Sequence, residues 1–237
     1  MVNFTSNTYQ MKREILSFSN KISRHLAKGT PKAALKTYLT QVRKWCPSHP
    51  VIFIDDSDVV KPDGYKFESL GWVRDGSEST ATKNVYKKGY HVTEATVLTN
   101  SNHPVSIFSE IHSSSEKDFT SINDITFSAM ERATALFEKA TFVMDRGYDD
   151  NKMFLKLDSM GQDYIIRLTA KRKFLYHNKW VFATELRNRR KGKVKLPLFY
   201  KGKIHDAYLS HVKVQITASR KDIYLVLVYG ITEHQIL

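Results

Sequence analysis

The feature that most constrains this fold is an apolar run that ends on acidic residues, and it occurs twice. Val51–Ile54 leads directly into Asp55–Asp58, and Thr141–Met144 leads into Asp145. A short, β-branched run without alternation is typical of a strand buried on both faces. Because isolated buried carboxylates are costly, each run predicts a core strand whose end presents acids to a metal ion or a basic partner.

The order of the other predicted elements gives the fold class. Period-two patterns predict two strands joined by a hairpin turn, and helical spacing predicts two helices, one on each side of the second acidic strand. The expected elements are strands at Tyr90–Asn100 and Pro104–Ile111, a helix capped by Asn123 or Asp124 and continuing to Lys139, a helix at Asp150–Met160 and a strand at Tyr164–Leu168. This β-β-β-α-β-α-β order predicts an α/β fold, a ribonuclease-H-like mixed sheet with flanking helices.

Two further segments flank this predicted core. Apolar residues at helical spacing predict a helix at Met11–Leu26 and a second one after Thr30, with Thr30 as N-cap and Pro47 ending it. These helices could contact DNA, dimerise or only pack against the sheet, and we favour packing together with some contacts. We therefore expect three parts: an N-terminal helical segment (1–47), the core (48–170) and a β-rich basic insertion (171–237).

Net charge points to a polyanionic partner. The chain has 37 Lys and Arg against 24 Asp and Glu, a net charge of +13, which is most simply explained by nucleic acid. Basic residues concentrate between Lys171 and Lys203, where aromatic residues are interleaved. Alternation around Lys195–Tyr200, Tyr208–Thr217 and Ile223–Tyr229 predicts antiparallel strands. The alternative interpretation of this segment is a solvated basic face without function.

The remaining composition excludes several classes. The single cysteine, Cys46, cannot form an internal disulfide, and its setting predicts a packed thiol. The sequence shows no membrane-length apolar run and no secretory signal, so we expect a cytoplasmic, nucleoid-associated protein without a membrane partner. The histidines show no zinc-site spacing, and a Gly-rich phosphate loop is absent.

Two carboxylates at neighbouring strand ends suit a divalent ion. Oxygen ligands favour Mg²⁺, or Mn²⁺ in its place, and such ions support phosphoryl transfer on a nucleic acid held by basic residues. Each acid also has a structural explanation. Asp56 and Asp58 could accept backbone hydrogen bonds in a turn after the strand, and Asp145 could pair with Arg146 or accept a hydrogen bond within a turn.

The motifs around these acids resemble those of a known family. IDDSDVVKP, beginning at Ile54, and VMDRGYDD, which contains Asp145, are similar to motifs of the DDE transposases of bacterial insertion sequences, as are FESLGWVRDGS, KGYHV and YIIRL. The similarity covers Val51 to Leu237. It implies that Asp55 and Asp145 are the catalytic metal ligands, with Asp56 as the alternative first ligand, and that 171–237 is the insertion before the last catalytic helix.

The chain departs from that family at one point. The family places a third acid, a glutamate, on a helix after the insertion in a Tyr-x-x-Arg-x-x-x-Glu motif, whereas Glu233 lies in no such motif. We therefore expect a C-terminally truncated transposase with weak activity or none. Two alternatives stay open: a non-catalytic DNA-binding fragment that competes with full-length transposase, and a related metal-dependent nuclease.

The resemblance and the basic pattern together define the expected partners. They are double-stranded DNA, both element ends and target, and a second copy of the chain in a homodimer. The residues expected to contact DNA are basic and lie near the acids or in the insertion: Lys61, Arg146, Lys171, Arg172, Arg189, Arg190 and Lys191.

Overall fold

The structure is a computed structural model, and it describes residues 31–80, 82–200, 202–217 and 219–230, with the side chain at position 200 excepted. The helix predicted at Met11–Leu26, the Thr30 cap and Glu233 lie outside these residues. Two β-sheets organise the described chain. The first runs from residue 51 to residue 166, and the second from residue 173 to residue 229.

The first sheet has the predicted order of elements and one additional strand. Its strands are β1 (Val51–Val60), β2 (Gly71–Arg74), β3 (Tyr86–Leu98), β4 (Pro104–His112), β5 (Thr141–Met144) and β6 (Asp163–Ile166). The spatial order is β2-β3-β1-β5-β6, and β4 also pairs with β3. β1 is antiparallel to β3 and parallel to β5, which is parallel to β6. The mixed sheet and its flanking helices confirm the predicted ribonuclease-H-like fold; the four-residue strand β2 was not predicted.

Three helices accompany this sheet: α1 (Lys32–Trp45), α2 (Ile122–Phe137) and α3 (Asn151–Ser159). The cap of α2 is Ser121, whose side chain accepts a hydrogen bond from the Asp124 amide at 3.2 Å, so the predicted cap was wrong by two or three residues. Serine is favoured there because its hydroxyl satisfies an amide that has no partner inside the helix. α2 packs its buried face against β1, β3 and β4.

The core lies between α2 and one face of the sheet. Alternation along β1 buries Ile52 and Ile54 completely or nearly so, whereas Phe53, on the other face, is 40% exposed. Burying side chains of this size is the main source of stability, about 1.5–3 kcal/mol for each. The prediction that β1 is buried on both faces was therefore wrong. The acids do not follow the strand either, because β1 continues through them to Val60.

The second sheet contains β7 (Lys173–Tyr176), β8 (Lys179–Phe182), β9 (Val194–Tyr200), β10 (Lys203–Ile216) and β11 (Asp222–Tyr229), with a short helix, α4 (Ala183–Asn188), between β8 and β9. Its order is β11-β10-β7-β8, and β9 pairs with β10. Phe174, Val181, Leu186, Val212 and Leu227 belong to a second core cluster on one face of this sheet. The strands predicted near β9, β10 and β11 are confirmed; β7, β8 and α4 were not predicted.

Cys46 follows α1 and is buried, as predicted, and burial raises the pKa of its thiol. In the described residues, no helix has the length and apolar character needed to cross a membrane.

Candidate acidic site at two parallel strands

The pairing of β1 with β5 brings the two predicted acids together. The last pair in register is Ile54 with Met144, and Asp55 and Asp145 are the next residues on their strands. Paired residues on neighbouring parallel strands point to the same face of a sheet. Both acids are exposed, and they lie side by side where β5 ends.

The pKa of the Asp55 carboxyl group is raised above its usual value. Partial burial raises the pKa of Asp55, a backbone hydrogen bond at Asp56 lowers it, and the charges of Asp145 and Asp56 raise it. Crowded like charges favour either a proton or a cation at the site. In the described part of the chain, no group of three or more His, Cys, Asp or Glu residues is arranged to hold a metal ion. Asp55 and Asp145 therefore form a pair of neighbouring carboxylates without a third such residue in a metal-binding arrangement among the described residues.

A tight turn fixes the position of Asp145. It caps a 3₁₀ turn, Arg146–Tyr148, and its Oδ1 accepts a hydrogen bond from the Gly147 amide at 2.6 Å. A Cβ atom at Gly147 would lie 2.9 Å from the same oxygen, so a larger residue would push the carboxylate away. The predicted role of Asp145 as a turn acceptor is therefore confirmed. Because one oxygen already has a partner, the carboxylate is held in one orientation, as a metal ligand requires.

Asp56 and Asp58 have partners on β3 and not in a turn, so the turn prediction was wrong for both. The Asp56 carboxylate accepts a hydrogen bond from the Thr93 hydroxyl. Asp58 pairs with Nδ1 of His91 at 2.7 Å. Thr93 also contacts His112, whose ring is stacked on that of His91 with centroids 5.6 Å apart.

Tyr148 forms a buried wall beside the acids. It is 6% exposed, and burial, followed by the charges of Asp56, Asp55 and Asp145, raises the pKa of its hydroxyl. The hydroxyl lies near the Asp56 carboxylate, without a hydrogen bond of good geometry to any described residue. Sequence reasoning missed this residue, although it is the tyrosine of the DRGY motif.

A buried ion pair connects the turn after Asp145 to the second sheet. The Asp149 side chain is fully buried, and its Oδ1 accepts a hydrogen bond from Nε of Arg172 at 2.6 Å. Its other oxygen accepts bonds from the amide and the hydroxyl of Thr169, both at 2.8 Å. The Arg172 guanidinium also donates to the Asp149 carbonyl and to Asn151. We call this arrangement the Asp149–Arg172 clamp; it ties the start of β7 to the segment that follows the 3₁₀ turn.

The residues expected to contact DNA fall into two groups. Arg172 belongs to the clamp. Arg190 stacks over the ring of Tyr176, 5.8 Å from its centroid, and donates to its hydroxyl at 2.9 Å. Both side chains are therefore engaged in internal contacts. The others are exposed: Lys61, Arg146, Lys171, Arg189 and Lys191.

A cavity of about 300 Å³ opens beside the clamp. Its walls are basic and hydroxylic: Thr169, Lys171, Arg172, Lys173 and Thr217.

Comparison with known proteins extends over most of the chain. The sequence profile of a family described as "Transposase DDE domain" matches residues 47–235. The match begins after α1 and includes both sheets. None of the curated proteins matches the chain.

Proposed function

This chain belongs to the transposase DDE domain family, and we propose from that premise that it is an insertion-sequence transposase that cleaves DNA and transfers the cut strand with the help of a divalent metal. The observation that supports the chemistry is the juxtaposition of Asp55, within β1, and Asp145, directly after the parallel strand β5. Mg²⁺ or Mn²⁺ is the ion that suits two carboxylate ligands.

Each residue of the acidic site has a separate proposed role. Asp55 and Asp145 would hold the metal, and Gly147 leaves the space in which the Asp145 carboxylate keeps its orientation. Tyr148 closes the inner side of the site and keeps water away from the core. A bound divalent ion supplies Lewis-acid stabilisation of the negative charge that develops on a phosphate during in-line displacement. Asp56 is the alternative first ligand, since it adjoins Asp55 and lies near Tyr148.

The basic surface is proposed to hold the DNA backbone. Phosphate contacts by Lys and Arg supply most sequence-independent affinity for DNA, and the net charge of +13 suits this role. We assign the contacts to the exposed cations Lys61, Arg146, Lys171, Arg189 and Lys191. Arg172 and Arg190 are proposed to support them from inside, because their guanidinium groups pack against Asp149 and Tyr176.

A second function, DNA binding without cleavage, is favoured by one observation. The described residues provide only a pair of acids and no third metal ligand beside them. A protein of this kind would bind the DNA ends of the insertion element and so compete with an active transposase for them. The two proposals differ in what happens to DNA after binding.

The test uses the full chain and a supercoiled plasmid that carries the gene together with its flanking DNA. We expect nicking that requires Mg²⁺ or Mn²⁺ and that falls at least about 100-fold in Asp55→Asn and in Asp145→Asn, since each removes one charged ligand. Asp63→Asn is the matched control, because it removes an exposed acid from the turn after β1. Asp56→Asn decides the first ligand: if it abolishes nicking and Asp55→Asn does not, the assignment moves to Asp56.

Binding measurements on the same plasmid separate the two functions. If the unaltered chain binds the plasmid equally well with and without metal and does not nick it, the result supports DNA binding without cleavage. If both Asp55→Asn and Asp145→Asn still nick the plasmid, these two acids are not required for cleavage.

A further inference from the structure

A chain of side-chain hydrogen bonds runs from the interior of the sheet to the acids. His112 is 1% exposed, and its Nε2 lies 2.9 Å from the hydroxyl of Thr93. Thr93 is fully buried and donates to the Asp56 carboxylate. Neither group belongs to the metal site proposed above, and neither has another evident task in the core.

The donors and acceptors fix the direction of this chain. A hydroxyl has one proton, and Thr93 gives it to Asp56, so Thr93 must accept the next hydrogen bond. The proton between the two groups therefore sits on Nε2 of His112. Its Nδ1 carries no proton in that tautomer, and this atom has no hydrogen-bond partner among the described residues. The buried ring is therefore neutral, with its one N–H directed at Thr93.

Ring stacking holds the imidazole in place. Phe119 lies on one side of His112, with centroids 6.0 Å apart, and His91 is stacked on it at 5.6 Å. His91 is itself fixed by its 2.7 Å contact with Asp58. Asp56 and Asp58 are two positions apart on β1, so they point to the same face and are both tied to β3 through this cluster.

We propose that Thr93 and His112 are positioning residues of the acidic site. They hold the carboxylate of Asp56, the alternative first metal ligand, in one rotamer on the β3 side. Removing hydrogen bonds of this kind, one step away from the ligands, typically changes metal affinity 10- to 100-fold. The inference rests on the proposed metal-dependent function.

The test measures the dissociation constant of Mn²⁺ by calorimetry on the full chain. Thr93→Val keeps the branched shape and removes the hydroxyl, and we expect it to weaken Mn²⁺ binding about tenfold. Thr93→Ser restores the hydroxyl and should restore most of the affinity. Thr96→Val is the matched control on the same strand.

A double-mutant cycle separates positioning from general damage. If Thr93 acts through Asp56, Thr93→Val should have no further effect on Mn²⁺ binding in an Asp56→Asn background. An equal loss in both backgrounds, or wild-type affinity in Thr93→Val, overturns the proposal. Asp145→Asn tests the proposed function itself: wild-type Mn²⁺ affinity in that variant refutes the metal site, whereas weakened binding there with no effect of Thr93→Val refutes only the positioning role.

Discussion

Replacing Arg172 by methionine should destabilise the protein far more than removing a neighbouring surface charge. The Arg172 side chain is 13% exposed, and its guanidinium is the charged partner of a carboxylate whose side chain is fully buried. Removing one partner of a buried ion pair costs about 3–5 kcal/mol, because the remaining charge loses its compensation. Thr169 would still donate two hydrogen bonds to Asp149, so we expect the lower end, about 3 kcal/mol.

The assay is equilibrium unfolding in urea at neutral pH, with thermal unfolding alongside. A loss of this size should lower Tm by roughly 6–12 °C in a chain of this length. Lys171→Met is the matched control: it removes the adjacent, exposed positive charge and should change stability by no more than about 0.5 kcal/mol. The double variant Asp149→Asn/Arg172→Met lacks both charges, so its free energy of unfolding should be at least about 1 kcal/mol higher than that of Arg172→Met alone.

Two results would refute this reasoning. One is a destabilisation by Arg172→Met that equals that of Lys171→Met. The other is a double variant that is as unstable as the two single changes added together, since that would mean the two charges do not interact.

Two further outcomes are expected. Arg189→Ala combined with Lys191→Ala should reduce the slope of log DNA affinity against log salt concentration, measured by fluorescence anisotropy, by about 0.9 for each phosphate that the protein no longer neutralises. Lys32→Ala combined with Lys36→Ala removes the same charge and should leave this slope nearly unchanged. An equal reduction of the slope in both double variants would count against the assignment. Burial, followed by the charge of His91, lowers the pKa of His112, so below about pH 6.5 the unfolded chain binds a proton that the folded chain resists, and stability falls as the pH drops. His112→Phe should weaken this loss of stability between pH 7 and 5 in urea unfolding, and an unchanged pH dependence would contradict it.

The topology of the first sheet could be predicted because each element carries its own local pattern. The runs before Asp55 and Asp145 are short and apolar, and α2 shows helical spacing with a polar start. Strands β2, β7 and β8 have four residues each and were not predicted. Strands β5 and β6 are equally short, but β5 is an apolar run that ends on an acid and β6 begins just after a helical pattern, and these neighbours made them recognisable.

The acid pair could be predicted, but its surroundings could not. Asp55 and Asp145 are recognisable from residues beside them in the sequence, whereas the partners of Asp56 and Asp58 come from β3. Only the register of β1 with β3 brings Thr93 opposite Asp56 and His91 opposite Asp58. In the same way, exposed and internal arginines look alike in sequence: Arg172 and Arg189 differ only in whether a buried acid lies within reach.

The separation of β1 from β5 along the chain also matters during synthesis. The ribosome delivers Asp55 first, then the strands β3 and β4 and helix α2, and only afterwards Asp145. Until β5 has emerged and paired with β1, a growing polypeptide carries one half of the acid pair and no partner for it. Under the proposed function, a chain that is still being translated should therefore lack the complete metal site, and so should any fragment that ends before β5.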